Sequence, residues 1–258
     1  MTEVCVIGCG NMGASLLEGL SKTDEYTLTA CDIDPDALEA VSPFCETTTT
    51  DLSAATESEV VIIAVKPSVV PIILDELELS ADQTLVSIAA GVSTDMITDE
   101  TPATVVRVMP NLAARTQNMA AAVTAETVTN EVREILDAVG EFVEIDESQM
   151  DIATAVNGSG PAFVFYLLGA MQAAGVESGL SDDEARTLAA QTFKGAAETV
   201  LRSDEPIDDL IDAVCSPNGT TIEGMELLWD STADEAVTDA VLAAERRSTE
   251  LAEDYGNE

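Results

Sequence analysis

The chain has no histidine, and it sets only 10 lysines and arginines against 49 aspartates and glutamates in 258 residues. Without imidazole the commonest general acid or base is missing, so any proton chemistry must use other groups. With so few cations the surface repels nucleic acid and anionic membranes, which bind through basic clusters. Aromatic residues make up 3% of the chain while 46% is apolar, so the core must be packed from small side chains. Five cysteines (Cys5, Cys9, Cys31, Cys45 and Cys215) include no CxxC pair. That spacing argues against a disulfide framework and, with histidine missing, against a zinc site. The thiols read as small buried hydrophobes. No run reaches the roughly 18 uninterrupted apolar residues of a membrane span. MTEVCVIGCG enters a strand pattern with no basic stretch before it, so no secretory leader is expected. The expectation is a soluble cytoplasmic protein without a metal, a nucleic-acid partner or a membrane.

What is present is negative charge, formally −39. One reading is adaptation to a salt-rich cytoplasm, where counterions screen the carboxylates from one another. The scarcity of lysine (Lys22, Lys66 and Lys194) favours it over the alternative of an acidic protein from an ordinary medium.

The first part of the chain alternates strand and helix patterns. TEVCVIG, YTLTACD, ESEVVIIAV, TLVSIAAG and ATVVRVMPN read as strands, and NMGASLLEGLSK, PDALEAV and PSVVPIILDELE as helices. A short helix is expected around Asp95–Glu100, then a strand near Met119–Thr124, a helix near Thr127–Val139 and a strand over Glu141–Ile145. Regular alternation of this kind predicts a Rossmann-type, doubly wound parallel sheet. Beyond about Ser148 every segment has helical period, with a capping box at Ser181 and Glu184. The fold class is therefore α/β, with a dinucleotide-type domain over 1–147 followed by an all-α domain over 148–258. PAFVFYLLGAMQAAGVESG is apolar on nearly every face, which predicts a helical dimer interface.

Gly8, Gly10 and Gly13 form GxGxxG (GCGNMG) at the first strand-to-helix junction, with Asn11 and Met12 between. Glycines there let backbone amides approach a pyrophosphate, and the helix N-terminus adds partial positive charge. Asp32 ends the second strand, 19 positions after Gly13. An acid there suits the ribose hydroxyls of NAD(H) and opposes the 2′-phosphate of NADP(H); it could also simply cap the helix at Pro35. Ala64, Val65, Lys66 and Pro67 end one strand, and Ala89, Ala90 and Gly91 another, at the carboxyl edge where such sheets bind ligands. Lys66 is a candidate catalytic cation or a solvated side chain. RVMPN places Met109 and Asn111 at a further strand mouth, while Arg107 could be an ion-pair partner.

GCGNMG at 8–13, AVKP at 64–67, SIAAGV at 87–92, RVMPN at 107–111, and GSGPAF at 158–163 with CSPNGTTIEG at 215–224 together resemble the pyrroline-5-carboxylate reductases. The resemblance spans nearly the whole chain, and the last stretch is its most specific part. It implies reduction of 1-pyrroline-5-carboxylate to L-proline by NAD(P)H, the last step of proline biosynthesis. It also implies a helical domain that interlocks into a homodimer or larger ring. Members usually prefer NADP(H), against the reading of Asp32. Asn218 departs from the family's glycine, and Asn157 stands where serine is common.

By the same resemblance Ser159 and Gly160 line the substrate pocket, which the SPNGTT loop of a partner subunit completes, and Thr221 contacts the ring nitrogen. The residues themselves allow Gly219, Thr220 and Thr221 to offer backbone amides to a carboxylate. With no histidine, the hydroxyls of Ser216, Thr220 and Thr221 are the nearest hydrogen-bonding groups for the substrate nitrogen. The alternative is that Ser216 and Thr220 cap a helix and that GSGPA only opens one. Two rival functions are a β-hydroxyacid dehydrogenase and a non-catalytic dinucleotide sensor. The former resemble each other in a lysine followed four positions later by asparagine, whereas here Lys194 is followed by Glu198 and Lys66 by Val70.

Overall fold

A computed structural model describes residues 1–256. They divide into two compact units, Met1–Ser159 with the C-terminal segment from Val241, and Gly160–Ala240.

The first unit is built on one sheet of eight strands: β1 (Thr2–Ile7), β2 (Tyr26–Cys31), β3 (Thr47–Thr49), β4 (Val60–Ile63), β5 (Thr84–Ser87), β6 (Thr104–Met109), β7 (Met119–Thr124) and β8 (Gly140–Glu144). Their order is β3-β2-β1-β4-β5-β6-β7-β8. The first six follow the arrangement of a dinucleotide-binding sheet, whose order reverses between β1 and β4. Helices α1 (Asn11–Leu20), α2 (Pro35–Val41), α3 (Val70–Glu76), α4 (Thr94–Thr98) and α5 (Asn130–Val139) lie between the strands, and α6 (Met150–Ala153) follows β8.

Side chains on β1 alternate between the two faces, as the period of a strand requires. Val4 and Val6 pack with Leu16, Leu17 and Leu20 of α1 and Ile135 of α5. Cys5 and Ile7 pack on the other face with Val70 and Leu74 of α3 and Ile97 of α4. Covered on both faces, the strands can be apolar throughout, as VVII of β4 is. Each fully buried Val, Leu or Ile contributes about 1.5–3 kcal/mol, which offsets the entropy of ordering the chain.

Two features differ from the parallel pattern expected. The edge strand β3 is a short polar TTT segment with no hydrophobic alternation to announce it. In addition β7 runs antiparallel to β6, and β8 is parallel to β7. The cause is the length of the β6–β7 link, which holds only the 3₁₀ turn Leu112–Thr116. A parallel return needs a crossover of about a dozen residues or more. The other strands of the sheet, the helices α1–α5 and the long helices after Gly160 lie where the sequence pattern predicts them, whereas α6 had no counterpart in that pattern.

The second unit is helical: α7 (Gly160–Glu177), α8 (Asp182–Arg202), α9 (Ile207–Val214), α10 (Thr220–Trp229) and the first turns of α11 (Ala233–Gly256). The turn that follows α7 contains Gly179, whose φ of +104° suits glycine. α8 begins at a capping box in which Glu184 N–H donates to Ser181 Oγ and Ser181 N–H to Glu184 Oε2. Only Ala185 and Ala189 of this unit are buried among the described residues. Phe165 is 68% exposed, Tyr166 79% and Leu227 77%, and Trp229 is also largely open. One helical stretch, Glu147–Glu177, is long and apolar enough to cross a membrane by length and composition.

Candidate active site

At the end of β1 the chain must turn into α1 alongside the end of the neighbouring strand β4. Gly8 makes the turn at φ +99°, and a Cβ there would lie 2.7 Å from the carbonyl oxygen of Ala64. A Cβ on Gly13 would lie 1.9 Å from the carbonyl oxygen of Gly8, so the first turn of α1 can lie against the loop only if residue 13 is glycine. Gly10 has open space around it, the condition for close approach by a ligand. Asn11 and Met12 complete the first turn of α1.

Asp32 is pinned at the end of β2. Its Oδ2 accepts from Cys9 N–H at 2.6 Å and its Oδ1 from Asp34 N–H at 2.9 Å. Asp34, not Asp32, caps α2, accepting from Asp36 N–H at 3.0 Å. Two of the roughly four acceptor positions of a carboxylate therefore remain for a ligand. Gly8, Gly10, Asp32, Ala64, Val65 and Lys66 line one cleft of about 1000 Å³. Lys22 pairs with Glu18 at 3.7 Å, whereas the exposed Lys66 has no carboxylate partner among the described residues. Burial, and then the Asp32 charge, pushes the Cys9 thiol up to about 12, and burial raises Cys31 as well. Both stay protonated near neutrality, so neither is a nucleophile.

Pro67, Ala89, Ala90, Gly91, Met109 and Asn111 lie in the same unit at or beyond the ends of β4, β5 and β6, and none of them lines that cleft. Met109 and Asn111 are buried. Asn111 Oδ1 accepts from Ala113 N–H, and its Nδ2 donates to the carbonyl of Asn157 at 3.2 Å. Arg107 is 5% exposed and ion-paired to Glu147, which also accepts from Thr94 Oγ1 at 3.2 Å. Its role is the structural one. Ser159 ends a π-helical turn, Thr154–Ser159, that the helical period of the sequence did not reveal.

Gly160 and the SPNGTT loop belong to the second unit. Asn218 takes the left-handed conformation at φ +58°, which asparagine tolerates better than most residues. Gly219 N–H donates to the carbonyl of Ser216 at 2.9 Å, and a Cβ on Gly219 would lie 2.4 Å from Ser216 Oγ. Gly219 is itself the N-cap of α10, and among the described residues no side chain caps that helix. Ser216 and Thr220 are therefore not its caps, and the amides of the first turn carry no side-chain cap. Ser216 and Thr220 are exposed and Thr221 half-buried.

Part of the cleft wall escaped the sequence reading. Asp51 and Ser53 follow the unannounced strand β3, and Ile33, Ile72, Glu76 and Glu78 also line the cleft. The signal available was Ile33, an isoleucine set between Asp32 and Asp34 just after β2, which the structure leaves 91% exposed.

Residues 147–251 match the family model "Pyrroline-5-carboxylate reductase dimerisation", and residues 3–91 match "NADP oxidoreductase coenzyme F420-dependent". The chain is 36% identical to the pyrroline-5-carboxylate reductase of Methanosarcina acetivorans, over 96% of this chain and 97% of the relative. Among solved structures it is similar to Plasmodium falciparum pyrroline carboxylate reductase with NADP bound, at 26% identity and a TM-score of 0.84, covering 97% and 98% of the two chains. The pyrroline-5-carboxylate reductase of Coxiella burnetii gives the same TM-score and coverage at 29% identity.

Proposed function

The chain belongs to the pyrroline-5-carboxylate reductase family, and from that premise we propose that it reduces 1-pyrroline-5-carboxylate to L-proline. The carrying observation is the 36% identity over 96% of the chain, which takes in both the glycine loop and SPNGTT. A reduced nicotinamide dinucleotide, when bound, supplies the hydride that adds to the carbon of the C=N bond. The residues of the crevice fit such a group: Gly10 leaves open space, and Asp32 keeps acceptor positions free at the ribose end.

The remaining work falls to the chain's own groups. The uncapped amides of Thr220 and Thr221 hold the substrate carboxylate, while Gly219, whose own N–H is engaged by the Ser216 carbonyl, shapes the turn; this arrangement needs no arginine. Thr221 Oγ accepts from the protonated ring nitrogen and orients the ring, with Ser216 as a second hydroxyl. An ordinary hydroxyl is hard to ionise, so both orient rather than act as strong acids. Ser159 and Gly160 line the substrate side. Lys66 supplies positive charge at the mouth of β4, and Pro67 after β4, Ala89, Ala90 and Gly91 after β5, and Met109 and Asn111 at or beyond the end of β6 line the cofactor's path beyond that cleft.

Charge supports NAD(H) over NADP(H). Asp32, Asp51, Glu76 and Glu78 line the cleft, with Lys66 as the one cation among its described lining residues. A 2′-phosphate would face a carboxylate whose position the backbone fixes. The bound NADP in the Plasmodium relative points the other way.

We place the boundary between dinucleotide and helical domains at 147/148, where the dimerisation model begins. The bare face of α7 supports a homodimer rather than a membrane span, because the same residues fall within that model. The charge of −39 supports a salt-rich cytoplasm as the working medium. Steady-state oxidation of NADH and NADPH by 1-pyrroline-5-carboxylate in molar potassium chloride tests the reading. Turnover with a higher kcat/KM for NADH is expected. A chain that binds NADH without turnover is a sensor and overturns it.

A further inference from the structure

Asn157 carries more bonds than its place in a turn requires. Its Nδ2 donates to the carbonyl of Met109 at 2.6 Å and to that of Ala120 at 3.0 Å, while its own carbonyl accepts from Asn111 Nδ2. Met109 ends β6, and Ala120 lies near the start of the antiparallel β7. One amide therefore ties two strand ends to the π-helical turn Thr154–Ser159. The two carbonyl acceptors fix which end of the amide is nitrogen, since a flipped amide would set oxygen against oxygen. That leaves Asn157 Oδ1 buried without a hydrogen-bond partner. A side chain kept only for stability is poorly served by such an atom. Asn157 spans the gap because an amide has two donors, whereas a hydroxyl has one.

We infer that Asn157 is a positioning residue for imine reduction: it holds the turn that ends in Ser159 in register with Met109 and Asn111. The inference rests on the function proposed above. Ser159 stands there on the substrate side, and Met109 and Asn111 on the nicotinamide side. Reacting atoms must meet at close range, and a displacement of about 1 Å can lower the rate about a hundredfold. The glycine loop and Asp32 follow β1 and β2, whereas the hydrogen bonds of the Asn157 side chain go to Met109 of β6 and Ala120 of β7.

The test compares the full-length wild type with Asn157→Ala and Asn157→Asp. Wild-type turnover of 1-pyrroline-5-carboxylate checks the underlying reading; if it is absent, that reading fails first. Given turnover, Asn157→Ala is expected to lower kcat/KM for the imine by about ten- to a hundredfold, with the NADH Kd unchanged within about threefold. In Asn157→Asp an ionised carboxylate would set charge against two carbonyl oxygens, while the neutral acid restores one donor. Asn157→Asp should therefore gain activity as pH falls, on an acid limb that the wild type lacks. If Asn157→Ala does not fold, Asn157→Ser, which keeps one donor, takes its place. Wild-type kcat and KM with only a lowered Tm, or a wild-type pH profile for Asn157→Asp, would overturn the inference.

Discussion

The two units of this chain solve the burial problem in opposite ways. In the dinucleotide unit, apolar strands are sandwiched between helices, and Leu17, Leu20, Leu28 and Ile63 are almost completely enclosed. In the helical unit only two alanines are enclosed among the described residues, and large apolar side chains stand open along α7 and α10. Conformational entropy opposes folding in both, yet only the first finds compensating burial within its own chain. The dimerisation family model spans these helices, and in the proposed homodimer another copy supplies their core, which links assembly to substrate chemistry but not to dinucleotide binding.

Charging the open face should break this contrast most strongly. Phe165→Asp with Leu227→Asp would bury unpaired carboxylates in the dimer, each costing several kcal/mol. Association should weaken by about a hundredfold or more. Sedimentation should find monomers with imine reduction lost and NADH binding kept. Thr221→Ala, within the helical unit, should lower kcat by about tenfold to a hundredfold and leave the NADH Kd nearly unchanged. Stopped-flow rates alongside fluorescence titration would check it.

Glycine substitutions sharpen the comparison from the other side. A Cβ at position 13 meets backbone at 1.9 Å, so Gly13→Ala should cost about 2 kcal/mol or more of stability and abolish dinucleotide binding. Gly10→Ala has room, so it should change stability by less than about 0.5 kcal/mol yet weaken binding. Denaturant melts with NADH titrations separate the two. The smallest effect concerns the thiols of the dinucleotide unit. Burial raises Cys5 and Cys9 from 9.0 to about 12 and Cys45 to about 11. The unfolded chain ionises these thiols first. Their stabilising contribution is therefore complete below pH 9.0 and is lost progressively up to about 12. Tm measured between pH 8 and 10 should begin to fall above about 9, most clearly for the unit that binds NADH.

Much of this was legible in the residues. GCGNMG between a buried strand and an amphipathic helix specifies the crevice, because only glycine survives the contacts at positions 8 and 13. The bare face of α7 was legible too, since PAFVFYLLGAM has no polar stripe to turn toward water. Three things were not. β3 is polar and lies at an edge, so no alternation marks it. The reversal at β7 follows from loop length, not side-chain pattern. The π-helical turn that sets Asn157 against Met109 and Ala120 depends on contacts between residues far apart in sequence.

The linkage between assembly and chemistry is open to one direct measurement. Serial dilution of the protein at constant molar potassium chloride, with mass, 1-pyrroline-5-carboxylate reduction and NADH affinity read at each step, puts it at risk. Mass and turnover should fall together while NADH affinity stays constant. A monomer that reduces the imine at the full rate would contradict the account.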